Sequence, residues 1–180
     1  MNKKVLYLAS YKAKLDYENV IYQDKFIQRD ISGCMLETNL DEYDLIIATP
    51  PCNYYSRANW RREVSKYSQE TKHLLPEILK KLVKLNKPFL VENVINKKLM
   101  KDFIDLAPHY KIGRHTYWTN LNNFNVKEIK QVEETKIQYT PQAKRQGGMN
   151  VKLVCEYFIE KAIKEKKWNI NRQQKQNLKN

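Results

Sequence analysis

"DLIIATPPCNYYSRANWRRE", residues 44–63, runs from an apolar segment through two prolines into a cysteine and then into polar, aromatic and basic side chains. Leu45 to Ala48 is apolar without alternation, the pattern of a strand covered on both faces, as in a parallel sheet layered by helices. Pro50 and Pro51 restrict the backbone and remove donors, so the strand ends there in a stiff turn. Cys52 projects from that turn. Ligands of open α/β sheets bind beyond the carboxyl ends of the strands, which makes this a candidate site. A cysteine attacks as its thiolate, and Arg57, Arg61 and Arg62 are near enough in sequence to stabilise one. The alternative is a small buried apolar residue.

Two further segments read as buried strands, "VLYLAS" (5–10) and "PFLVEN" (88–93). Between the second and third strands, Leu75, Ile78, Leu79, Leu82 and Val83 recur at helical spacing. Pro76 in that stretch requires a helix that starts near Leu74 or one that kinks, because proline is tolerated best in a first turn. "INKKLMKDFIDLA" (95–107) is expected to be a helix and "GRHTYWTNL" (113–121) a strand. The polar stretch 122–142 is expected to be loop with one short strand. Val151, Val154, Phe158, Ala162 and Ile163 predict an amphipathic helix over 150–167. The fold class is α/β with a mostly parallel sheet. Residues 1–167 form one domain, and 168–180 a basic tail with little to bury.

With 180 residues the chain can bury roughly 70% of the surface of its unfolded state. No apolar run approaches the roughly 20 residues of a bilayer span, and the start is too short for a secretory signal. A cytoplasmic location is expected, without membrane contact. Cys34, Cys52 and Cys155 lack CxxC spacing, and His73, His109 and His115 are scattered, so neither a disulfide framework nor a metal site is expected. With 33 Lys plus Arg against 20 Asp plus Glu, the net charge of +13 attracts polyanions, and nucleic acid is the leading partner.

The third strand closes on Glu92 and Asn93, an expensive pair after a buried segment unless hydrogen-bonded. If the second and third strands are neighbours, Cys52 and Glu92 share a crevice as nucleophile and proton donor or acceptor. "PPCNYYS" followed by "VENV" resembles the Pro-Pro-Cys-x-x-x-Ser and Glu-Asn-Val elements of DNA (cytosine-5) methyltransferases. "GRHTYWTNL" is similar to that family's arginine-bearing strand, and "RQGGMNVKLV" (145–154) to its Gly-Asn segment before the last helix. The likeness covers about residues 44 to 163 and is strongest to the very short versions from phages and mobile elements.

The resemblance implies a minimal Rossmann-like methyltransferase fold that lacks the domain reading target sequence, since only residues 122–144 stand where that domain is normally inserted. It implies Cys52 adding to carbon 6 of a flipped cytosine, Glu92 at ring nitrogen 3, Arg114 at the exocyclic oxygen or a phosphate, and Asn93 orienting the cysteine turn. S-adenosylmethionine would be held near Ala9, Ser10, Asp30, Pro50 and Asn150. Tyr54, Tyr55, Ser56, Arg57, Trp60, Arg61, Arg62 and His115 would contact DNA, single-stranded or presented by a partner protein, by stacking and phosphate neutralisation. Where the family has a glycine-rich cofactor loop, "VLYLASYKAKLDYENV" (5–20) has no glycine. Two other readings therefore stand beside the enzyme: a silent nucleic-acid-binding relative, and an enzyme acting on free pyrimidine nucleotides. Amino-group methyltransferases also carry a Pro-Pro turn but place an aromatic where Cys52 stands.

Overall fold

Apolar runs without alternation must be covered on both faces, and pairing them side by side between helices achieves this. A computed structural model describes residues 3–94, 96–129 and 151–165. In it β1 (Val5–Leu8) and β4 (Leu45–Ala48) are buried along their whole length and pair in parallel, Val5 opposite Leu45 and Leu8 opposite Ala48. On one side of this pair lie β2 (Val20–Asp24) and β3 (Ile31–Ser32); on the other lie β5 (Phe89–Val94) and the hairpin of β6 (His109–Ile112) and β7 (His115–Thr119). The sheet has seven strands in the order β3-β2-β1-β4-β5-β7-β6. Only β7 runs against its neighbours. The first five strands follow the order of open doubly wound sheets, whose direction of build reverses between β1 and β4.

Two helices cover the centre from opposite faces. α1 (Lys66–Thr71) is capped by Ser65, whose hydroxyl accepts from the Ser68 amide. α2 (Leu74–Lys84) starts at Leu74, so Pro76 occupies the first turn, where its missing donor costs nothing. Leu75, Ile78, Leu79 and Leu82 of α2 pack on Leu6, Leu8, Ile46, Ala48 and Val91. After a single turn of α3 (Lys97–Met100), α4 (Val151–Lys164) lays Val154, Cys155 and Phe158 on the other face, over Tyr7, Ile47, Leu90 and Tyr117. No helix fills residues 9–19 between β1 and β2; Leu15 and α4 supply cover there.

The sequence reading needs correction in several elements. β2, β3 and β6 were not expected. The helix expected over 95–107 shrinks to α3 and a 3-10 turn at Ile104–Leu106, whose Ile104 carbonyl accepts from the buried Trp118 indole at 2.8 Å. Within 122–142 the described part is not simply loop: residues 126–129 are helical, started by Asn125, whose side chain accepts from the Lys127 amide at 3.0 Å, and Ile129 is fully buried. α4 ends at Lys164, and Ile163, expected on its apolar stripe, is 42% exposed. The rest of 130–150 and the tail 168–180 lie outside the described residues. Among the described residues no helix is long and apolar enough to cross a membrane.

Candidate active site

The parallel pairing of β4 with β5 puts the carboxyl ends of both strands on one rim, with Ala48 opposite Val91. Beyond them opens a cleft of about 520 Å³, within the size range of small-molecule sites. Cys52, Glu92 and His115 line one end of it; Ala9, Tyr11, Gln23, Asp24 and Phe26 line the other. Cys52 is exposed to this space rather than sealed in the core. Glu92 is enclosed, its side chain 12% exposed, against 26% for His115.

Hydrogen bonds make the cysteine turn stiff. The Cys52 carbonyl accepts from the amides of Tyr55 (3.1 Å) and Ser56 (2.9 Å). Asn93, fully buried on β5, donates to the Pro50 carbonyl at 2.9 Å and so ties β5 to the turn that carries Cys52. Asn96 donates to the Tyr55 carbonyl at 3.1 Å, and Asn59 to the Asn53 carbonyl at 2.9 Å.

The arginine field expected at Cys52 is not what acts there. Arg62 turns to the Ser56 carbonyl at 2.7 Å, and Arg61 lies over the Trp60 ring. Crowding by protein removes water from the sulfur and pushes the thiol up, and the negative charge of Glu92 pushes it further. The Cys52 side chain therefore rests as a thiol, and any attack by its sulfur would first require the thiolate to form.

Glu92 is hydrogen-bonded to Nδ1 of His115. The resemblance puts Arg114 at the exocyclic oxygen or a phosphate and His115 among the DNA contacts, both on one strand; the structure separates the two. Arg114 sits exposed in the turn of the β6–β7 hairpin, after Gly113 at φ +58°, and does not line the cleft. His115, the first residue of β7, does.

At the other end, the loop after β1 adopts glycine-like geometry without glycine. Ala9 (φ +50°) and Tyr11 (φ +45°) both lie in the left-handed region, which costs a non-glycine residue on the order of 1–3 kcal/mol. Side chains of β2 hold them there. The Ala9 amide donates to Gln23 Oε1 at 3.0 Å and the Tyr11 amide to Asp24 Oδ2 at 2.8 Å, while Thr49 donates to the Ala9 carbonyl at 3.0 Å. Gln23 and Asp24 were missed in the sequence. The only signal was a polar pair closing the apolar "VIY" of β2.

Of the expected cofactor residues, Ala9 and Pro50 line the cleft. Ser10 does not, because its amide and hydroxyl both donate to the Gln23 carbonyl beneath. Asp30 does not line the cleft either: it accepts from the Tyr22 amide at 2.7 Å, and the acid at the end of β2 that does line it is Asp24. Asn150 lies outside the described residues. Of the expected nucleic-acid contacts, Tyr55 is corrected most clearly, since it is 3% exposed, packs on Phe103 and donates to the Lys72 carbonyl at 2.6 Å. Tyr54 is half-buried against Tyr55, Ser56 and Arg62 are half-buried partners of one another, and Arg57, Arg61 and Trp60 (85% exposed) face solvent. Tyr11, Phe26 and Tyr67 add exposed rings at the rim of the cleft.

No protein-family model matches the chain, and no curated protein matches it.

Proposed function

We propose that the protein is a minimal S-adenosylmethionine-dependent DNA cytosine-5 methyltransferase with a Rossmann-like methyltransferase fold. The observation that carries this reading is that Cys52 and Glu92 border one cleft, which continues to the carboxyl ends of β1 and β2 and so has room for a base beside a second ligand. Cys52 forms a bond to carbon 6 of a cytosine taken out of its stack, and Glu92 donates a proton to nitrogen 3. Uracil presents an N–H at that position and cannot take this proton, so the transfer favours cytosine. Asn93 holds the Pro50 carbonyl and thereby the direction of the sulfur. Trp60, Arg57 and Arg61 offer a stacking surface and cations to a nucleic-acid strand.

The residues at the far end of the cleft fit the cofactor in part. Asp24 retains carboxylate lone pairs for a hydroxylated ligand, and the Phe26 and Tyr67 rings, 5.7 Å apart, flank the entrance. When bound, the cofactor supplies the methyl group that carbon 5 accepts. Transfer of labelled methyl from S-adenosylmethionine to cytosine-containing DNA tests the proposal; Cys52→Ala should abolish it, and absence of transfer by the wild-type protein to any DNA overturns it. A second reading has one observation in its favour. The Ala9 and Tyr11 amides, which a glycine-rich loop would offer to a ligand, are already taken by Gln23 and Asp24. That suits a silent nucleic-acid-binding relative, and calorimetric titration with S-adenosylmethionine separates the two: binding removes the silent reading, and no heat supports it.

A further inference from the structure

We propose that His115 is a positioning residue that feeds the proton Glu92 gives to the base, so that the acid of this site is the Glu92–His115 pair; this rests on the methyltransferase reading above. The register of β5 with β7 sets Glu92 opposite Tyr117 and Val94 opposite His115. Glu92 and His115 are then diagonal neighbours on one face, a separation long side chains bridge. The bond joins His115 Nδ1 to Glu92 Oε1. Among the described residues nothing binds Glu92 Oε2 or His115 Nε2. One end of the pair is thus left for a base and the other for water.

Burial makes the arrangement useful. Glu92, at 12% exposure, loses contact with solvent once a base fills the cleft, whereas His115, at 26%, keeps an outer edge in water. A lone carboxyl there would have no route by which to recover its proton. The titratable groups around the pair are Cys52 on the turn after β4, Tyr7 on β1 and Cys155 on α4, each of which feels the charge of Glu92, and Tyr117 and the chain neighbour Arg114 on the hairpin of His115. Among the described residues Glu92 is the one that hydrogen-bonds the imidazole.

The Cys52 thiol loses its proton to water, and its sulfur pair forms the S–C6 bond. The C5–C6 π pair moves to C4–C5, and the C4–N3 π pair takes a proton that Nδ1 of His115 passes through the Glu92 carboxylate. The imidazole is left neutral and Glu92 is a carboxylate again. After carbon 5 has been methylated, its own proton leaves to water, the C5–C6 double bond re-forms as the thiolate departs and takes a proton from water, and the N3 proton returns through Glu92 to His115.

His115→Asn and His115→Gln keep an amide donor toward Glu92 but hold no transferable proton. Single-turnover methyl transfer to a cytosine-containing single-stranded oligodeoxynucleotide should fall roughly 10²-fold in both, with KM for DNA unchanged. Imidazole added to His115→Gly should restore the rate in proportion to its protonated fraction. Wild-type rates in the Asn and Gln variants overturn the proposal. A second measurement needs neither cofactor nor DNA: alkylation of Cys52 by iodoacetamide, read by mass spectrometry of its peptide. Glu92→Gln should accelerate it roughly two- to fivefold, by removing a negative charge beside the sulfur. His115→Asn should slow it, because the carboxylate loses the partner that offsets its charge. Equal alkylation in His115→Asn and wild type at every pH overturns the pairing. If the alkylation shifts hold while the wild type transfers no methyl group, the pairing stands and the methyltransferase reading falls.

Discussion

The turns that leave β1 and β4 reach the same cleft by opposite means. After β4, two prolines fix the backbone locally, and the long-range help is a bond from the buried Asn93 to the Pro50 carbonyl. After β1, Ala9 and Tyr11 are bent into a conformation that neither residue favours, and Gln23 and Asp24 from the neighbouring strand keep them there. The first turn carries its geometry in its own sequence; the second borrows it from β2. A loop of the borrowed kind spends its backbone donors on the protein itself, which is why the cysteine end of the cleft is the better equipped.

The dependence of the β1 loop on β2 is tested most directly at Asp24. Asp24→Ala removes the acceptor of two amides, Tyr11 and Phe26, each at 2.8 Å. It should cost about 3 kcal/mol in urea unfolding, since bonds to a charged acceptor are the stronger kind. A loss near zero would mean that β2 does not hold the loop. Asn93→Ala leaves the buried Pro50 carbonyl without its donor, and should cost about 2 kcal/mol while lowering methyl transfer along with it. Unchanged activity in that variant would show that the prolines alone aim the sulfur. The smallest effect is of opposite sign: Ala9→Gly relieves the left-handed backbone and should raise stability by about 1 kcal/mol, visible as a higher Tm. A lower Tm would show that Ala9 is not strained.

What could be read in the sequence follows the same division. β1 and β4 were legible because a fully covered strand is apolar at every position, and β5 through its apolar first half; Cys52 stood out by the double-proline turn that follows β4, and Glu92 by interrupting the apolar run of β5. The crossover helix was legible from its apolar spacing, and of the two arrangements Pro76 allows, a kink or a start near Leu74, the chain adopts the start at Leu74. β2 was not, because its Gln23 and Asp24 look like loop residues until the β1 loop lies beside them. Asp24 went unnoticed for the same reason. His115 was undervalued because its partner is 23 positions away and meets it only through the antiparallel register of β5 with β7. Tyr55 reads as a surface ring by its neighbours, but Phe103 and the Lys72 carbonyl enclose it.

Helix α4 has a consequence for how the chain is made. Cys155 reaches the Tyr7 hydroxyl across 148 positions, and the helix roofs β4 and β5 as well. During synthesis, therefore, one side of the nascent sheet stays bare until nearly the whole described sequence has left the ribosome. Versions shortened before residue 151 would expose Val5, Tyr7, Ile47 and Leu90 to water, and the expected fate of such fragments is aggregation rather than a smaller working unit.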